Sequence, residues 1–252
     1  MALSRGCNLE CVDDYQAGDE VIEFVGPVKI ILVDPPKDAY RRRVLGAAWI
    51  TLAHMFMGAS VMTMLYYSLS YRTASIPNAL HVFMFTVAFQ LFMPSAILCH
   101  NKLNGAATHM TIADRTFHHT FLQLCSLGCL VVGFIAVLLT DYFAITVHSV
   151  LGMIACVLAV INIIPGFIVN GMLKLWVDED RMEYTVFQVT QVHKVIGVLC
   201  FVASSGCFIT GLLTDTFVLW VPIRDMSTIS IIFCCYYTFV VIYKPLRHLQ
   251  IL

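Results

Sequence analysis

Nine histidines are distributed along the 252 residues, and five of them could act together. His81, His118, His119, His148 and His193 each fall near the start of a long apolar segment. Two of these segments open alike, His148-Ser149-Val150-Leu151-Gly152 and His193-Lys194-Val195-Ile196-Gly197. Each continues in apolar residues to a glycine eighteen positions past its histidine, Gly166 and Gly211. A neutral imidazole is a metal ligand and a proton relay. An ionisable side chain inside a stretch of membrane length is costly and marks a functional site by default. Two stretches with one histidine placement imply a pair of related sites.

The elements that must position these residues follow from composition. The chain is 59% hydrophobic and 12% charged, against roughly 25% charged for an average soluble domain. About 20 apolar residues rising 1.5 Å each cross a hydrocarbon core of about 30 Å. Six such stretches are present, at 44–69, 79–99, 116–139, 145–172, 189–213 and 226–243. Open sheets cannot span lipid, so the chain reads as an all-α integral membrane protein of six transmembrane helices. Short connections make the bundle antiparallel, and Asp141-Tyr142-Phe143 allows little but a tight turn. A net charge of −1 gives no footing for nucleic acid.

Three parts are expected: a polar tail at 1–43, the membrane domain at 44–243 with its core at 79–213, and a short tail at 244–252. The first tail has no basic start followed by an apolar run, so no cleavable signal peptide is expected. Its composition predicts mostly disorder, with a short extended or interfacial piece at 28–33. Cys7 and Cys11 are only half of a zinc set. The other eight cysteines lie in apolar spans, where a thiol acts as a small hydrophobe.

Basic residues near span ends orient the bundle. Arg41, Arg42, Arg43, Lys102, Arg115, Lys174, Arg181, Lys244 and Arg247 fall on one side, and only Arg72 and Arg224 on the other. Both termini are therefore expected in the cytosol. Consecutive helices alternate in direction, which sorts the histidines into two layers. His81 and His148 start spans two and four on the non-cytosolic side. His118 or His119, with His193, start spans three and five on the cytosolic side.

Two histidines at one depth on different helices suit bis-imidazole ligation of a haem lying between them. Gly152 and Gly197 sit one turn deeper than their histidines, where a side chain would press on a porphyrin. Small residues also occur wherever membrane helices pack closely, and a single histidine could equally be a hydrogen-bonded interior residue. His118 and His119 are about 100° apart on a helix, so one faces the cofactor and the other is interfacial or bonds a propionate. His54 has no partner at its depth and reads as a packing or polar contact. His100, His109 and His248 read as solvated. Ser149 and Gln123 are candidate polar partners for the ligand histidines.

On these residues the chain resembles the cytochrome b561 family, and more closely its short six-helix "domain-containing" subgroup. The resemblance covers roughly 79–213. It rests on Leu80-His81 before an apolar run, His119-Thr120-Phe121-Leu122-Gln123, Val147-His148-Ser149 with Gly152, and Val192-His193 with Gly197. It implies that spans two to five form a four-helix bundle holding two b haems, one between His81 and His148 and one between His119 and His193. The same alignment favours His119 over His118. Such a protein is a transmembrane ascorbate-dependent oxidoreductase. It takes electrons from cytosolic ascorbate and delivers them to monodehydroascorbate radical or ferric iron on the other side. The resemblance further implies an endoplasmic-reticulum or vesicle (endolysosomal) membrane, and leaves a homodimer open.

The chain departs from relatives in two places. Val82 follows His81 where they often carry proline, and the connection before span three is less basic. Lys102 and Arg115 remain there for an anionic donor, and Lys194 could serve the donor or a haem propionate. Three rivals remain. A non-haem oxygenase needs its histidines clustered on one face. A histidine-based transporter or receptor without haem needs acidic partners, yet the span interiors hold no Asp or Glu. A haem-bearing anchor for a partner reductase stays open.

Overall fold

The structure, a computed structural model, describes residues 20–25, 30–34, 36–71, 75–140, 144–169, 179–221, 223 and 225–248. Cys7, Cys11, the connection at 141–143, Arg72, Lys174 and Arg224 lie outside the described residues. Among the described residues, six helices are long and apolar enough to cross a membrane, as expected from the hydropathy of the chain. The protein is an all-α integral membrane protein with one small addition. In the first tail, where disorder and an isolated extended piece were expected, Glu20–Val25 pairs antiparallel with Ile30–Asp34. Both segments are rich in β-branched residues, which favour strands.

The first helix, Lys37–Tyr71, starts ahead of the arginine triplet rather than after it. Pro36 supplies the opening carbonyl, which accepts the Tyr40 N–H at 3.0 Å. Asp38 in the first turn suits the positive end of the helix dipole. Arg41 to Arg43 thus extend the first span as a helical turn.

The second span changes its pitch midway. It runs as α-helix over Ile76–Thr86, as π-helix over Val87–Phe92, and as α-helix again over Met93–Leu98. Pro94 explains the change: it has no N–H for the carbonyl of Gln90, and its ring crowds that carbonyl. Met93 N–H instead reaches back five residues to the carbonyl of Ala88. That carbonyl also accepts Ser126 Oγ of the third span at 2.9 Å.

A capping box between Thr111 and Asp114 opens the third span, Ile112–Leu138. Thr146 and Ser149 cap the fourth, Val147–Val169, with Thr146 N–H donating to Ser149 Oγ at 2.8 Å. The fifth helix, Glu179–Leu212, leads into a short helix at Asp215–Trp220, and Met226–His248 forms the sixth. Spans two and three pack along each other, as do four and five, and the sixth fits against the first and fifth. Spans two and three approach closely at Gly133, where an added Cβ would lie 2.6 Å from Phe85 Cδ2. The bundle therefore presents two helical hairpins, two–three and four–five, across a shared slot. The end carrying the start of span one and the end of span six is called the near end below, the opposite one the far end.

Candidate functional site: two imidazole pairs across the slot

Four histidines meet across this slot in two pairs. At the far end, the rings of His81 on span two and His148 on span four have centroids 6.1 Å apart and planes crossed at 88°. At the near end, His119 on span three and His193 on span five have centroids 5.9 Å apart, crossed at 75°. His118, the neighbour that could have taken this place, instead lines a separate cavity of about 100 Å³ with His54, Cys99 and Asn104. His54 Nδ1 donates to the carbonyl of Ile50 at 2.9 Å, the polar contact expected of it.

Each pair contains one anchored ring and one unanchored ring. His148 Nδ1 donates to the carbonyl of Cys207 at 2.9 Å. His119 Nδ1 donates to the carbonyl of Ala96 at 2.9 Å. Such a bond leaves the lone pair on Nε2, the form a metal ligand needs. His81 Nδ1 is buried without a hydrogen-bond partner, and His193 Nδ1 lies near the Asn162 carbonyl without reaching bonding geometry. Ser149, expected to serve a histidine, is occupied at the helix start, where its Oγ donates to the carbonyl of Ala144 at 2.9 Å. Backbone carbonyls do that work here, and no side-chain pattern in the sequence announces them.

Spans four and five cradle one another's histidines. A Cβ on Gly211 would lie 3.1 Å from His148 Cε1, and one on Gly166 would lie 3.3 Å from His193 Cε1. These are the glycines eighteen positions beyond each histidine, and the antiparallel pairing brings each opposite the other span's ring. Gly152 and Gly197 meet the facing span differently: an added Cβ would touch Cys207 Sγ and Asn162 Nδ2, each at 3.2 Å. They let the helices approach, and Gly152 also forms part of the far-end cavity wall.

That far-end cavity holds about 360 Å³ and is lined by His81, His148, Phe85, Gln90 and Ser204 among others. Ligand sites are typically of this kind, apolar and concave with a few polar groups. Whether a flat metal cofactor suits these residues can be tested from ring spacing. A metal–nitrogen bond of about 2 Å on each side, with about 1.1 Å from nitrogen to ring centre, puts two coordinated imidazoles roughly 6.2 Å apart between centroids. The two observed spacings fit. Among the described residues, no three His, Cys, Asp or Glu side chains gather into a cage for a bare ion.

The candidate donor residues are at the near end. Arg115 is buried, and its Nε donates to the carbonyl of Ala107 at 3.2 Å. Lys244, at the end of span six, donates from Nζ to the carbonyl of His100 at 2.8 Å and lies within electrostatic reach of Arg115 and Lys102. Lys194 is half-buried on span five beside His193. Sequence reasoning used Lys244 only for orientation. His100 is exposed, as expected, and its ring also lies 5.0 Å from that of His119. The fold of the connection at 99–111 is what gathers these groups, and its hydrogen bonds run to backbone, which spacing alone does not show.

The polytopic bundle thus carries an imidazole pair at each end of one slot. The family model for eukaryotic cytochrome b561 matches residues 80–218, more than half of the chain. The chain belongs to the cytochrome b561 family. Membership makes it a transmembrane electron-transfer oxidoreductase that uses b-type haem. No individual curated protein and no solved structure matches the chain.

Proposed function

We propose that the chain carries electrons from cytosolic ascorbate to monodehydroascorbate radical or ferric iron across the membrane, through two b haems. His81 and His148 would hold the one at the far end, His119 and His193 the one at the near end. The observation that carries this reading is the pair of ring spacings, 6.1 and 5.9 Å, each of a size for two ligands on one metal. Haem, when bound, supplies one-electron exchange at each depth.

The residues divide the remaining work. The Cys207 and Ala96 carbonyls fix the tautomer of one histidine in each pair, and Gly211 and Gly166 fix ring position on spans four and five. At the near end, Lys102, Arg115 and Lys244 offer positive charge to an anionic donor; Lys194 offers it beside His193. The basic side of the bundle supports a cytosolic near end, so both chain termini face the cytosol. The electron-carrying unit is 79–213, flanked by the first and sixth spans. The resemblance supports an endoplasmic-reticulum or endolysosomal membrane as its setting.

The test is haem quantitation and absorption spectroscopy on the purified protein, before and after ascorbate. Two b haems per chain, reduced by ascorbate, are expected. Replacing any one of the four histidines by alanine should remove one haem and leave the other. A colourless protein made with ample haem would overturn the reading. Two haems that ascorbate leaves oxidised would overturn the donor alone.

A further inference from the structure

The sixth span lies outside the family match, yet it places a tyrosine deep in the bundle. Tyr237 is fully buried, and its hydroxyl donates to Gln90 Oε1 at 2.9 Å. Gln90 Nε2 in turn donates to the carbonyl of Ser204 on span five at 3.3 Å. Gln90 and Ser204 are only 1% and 3% exposed. Gln90 sits nine residues past His81 and six before Ala96, so it lies between the two histidine layers. It also falls in the π-helical stretch created by Pro94, and such bulges recur at functional sites.

We propose that Tyr237 is a positioning residue which, through Gln90, raises the reduction potential of the cofactor between His81 and His148. This inference rests on the two-haem reading above. Gln90 and Ser204 line the far-end cavity together with both histidines, whereas Tyr237 stands behind Gln90 and does not line it. An amide has an acceptor oxygen and two N–H donors. The Tyr237 hydroxyl claims the oxygen and the Ser204 carbonyl claims one N–H. The group left for the cavity is the second N–H, the positive end of the amide. A donor facing the cofactor favours its reduced form, which carries one more negative charge. Removing the hydroxyl leaves the oxygen without its donor and the amide held by the Ser204 bond alone, so the second N–H is no longer fixed toward the cavity and that preference weakens.

The same two spans supply a matched control. Thr238 Oγ1 on span six donates to Ser205 Oγ on span five at 2.9 Å, and neither residue lines the cavity. The experiment is a spectroscopic redox titration of the full-length two-haem protein with Tyr237→Phe, Gln90→Leu and Thr238→Val. His81→Ala, which removes the far-end site, assigns the two potentials. Tyr237→Phe and Gln90→Leu should move the electron in half-reduced protein away from the far-end haem by about threefold, or about 28 mV at 59 mV per decade. Thr238→Val should lower thermal stability and leave both potentials in place. Tyr237→Phe with unchanged potentials, or with both haems shifted equally, overturns the proposal even if Gln90→Leu fails to fold. A chain that binds no haem overturns this proposal and the parent reading together, so the two failures are distinct.

Discussion

Adding one methyl group at Gly211 asks whether the span opposite His148 holds its ring. The new Cβ would stand 3.1 Å from Cε1 and 3.3 Å from Nδ1 of the imidazole, where ordinary contact begins at 3.4 Å. The ring must retreat by a few tenths of an ångström. It cannot do so freely, because Nδ1 is bonded to the Cys207 carbonyl at 2.9 Å. Overpacking of this kind costs about 1–3 kcal/mol, and a weakened hydrogen bond adds a share of its roughly 0.5–1.5 kcal/mol. Gly→Ala inside a helix returns about 0.8–1.0 kcal/mol, and less here, since the helix ends at Leu212. The balance for Gly211→Ala is a loss of about 1–2 kcal/mol. Gly166→Ala should lose less, because its Cβ meets the His193 ring at 3.3 and 3.6 Å and that ring is not anchored. Gly128 is the control: nothing lies within 4 Å of an added Cβ, so Gly128→Ala should gain up to about 1 kcal/mol. The assay pairs thermal unfolding with low-temperature electron paramagnetic resonance of the ferric haems, which reads imidazole orientation. Gly211→Ala should alter the far-end signal alone and Gly166→Ala the near-end signal alone. If Gly211→Ala stabilises as Gly128→Ala does and leaves both signals unchanged, the cradle does not position the ligand.

His118→Ala should keep both haems while His119→Ala loses one, counted by pyridine haemochrome; loss of a haem in His118→Ala would reverse the near-end assignment. Lys244→Gln should raise KM for ascorbate several-fold with haem content unchanged, and more so at low salt, since the screening length is about 10 Å at 0.1 M. An unchanged KM at low salt would remove Lys244 from the donor site. Gly133→Ala should destabilise by about 1–3 kcal/mol in thermal unfolding, because the Phe85 ring has to turn away from a Cβ 2.6 Å distant. A stabilised variant would show that spans two and three are not in close contact there.

The membrane helices were legible because hydropathy needs no knowledge of neighbours: six apolar stretches predicted six spans, and the described residues contain six helices of that kind. Their ends were less legible. Arg41 to Arg43 look like a boundary by charge, but a membrane helix continues past lipid wherever its backbone bonds are satisfied, and here it starts at Lys37. The two-layer arrangement of histidines followed from alternation of helix direction, and the structure brings His81 to His148 and His119 to His193. What supports those rings was hidden. The anchors are main-chain carbonyls of Cys207 and Ala96, and any residue type supplies a carbonyl. The glycine repeat was visible, but its purpose depends on the offset between two antiparallel helices. Tyr237 and Gln90 gave no sign of meeting, since they are 147 positions apart on different spans.

The repeat in spans four and five is an inverted pair in space. His148, Gly152, Asn162 and Gly166 on one span recur 45 positions later as His193, Gly197, Cys207 and Gly211 on the other. Antiparallel packing then sets Gly152 against Cys207 and Gly197 against Asn162, and each terminal glycine against the opposite histidine. One rule therefore builds both niches, and it builds them nearly alike. Each niche also has one imidazole bonded to a carbonyl, but the bonded ring is His148 of the repeat at the far end and His119 of span three at the near end. Donor and acceptor set the direction in which an electron travels, and a difference between the two sites sets where it rests. Part of that difference lies within the repeat, since His148 is bonded to a carbonyl and His193 is not, and part comes from the second, third and sixth spans. Gln90, turned by the π-helix of span two and held by Tyr237 of span six, lines the far-end cavity and has no counterpart in the repeated segment.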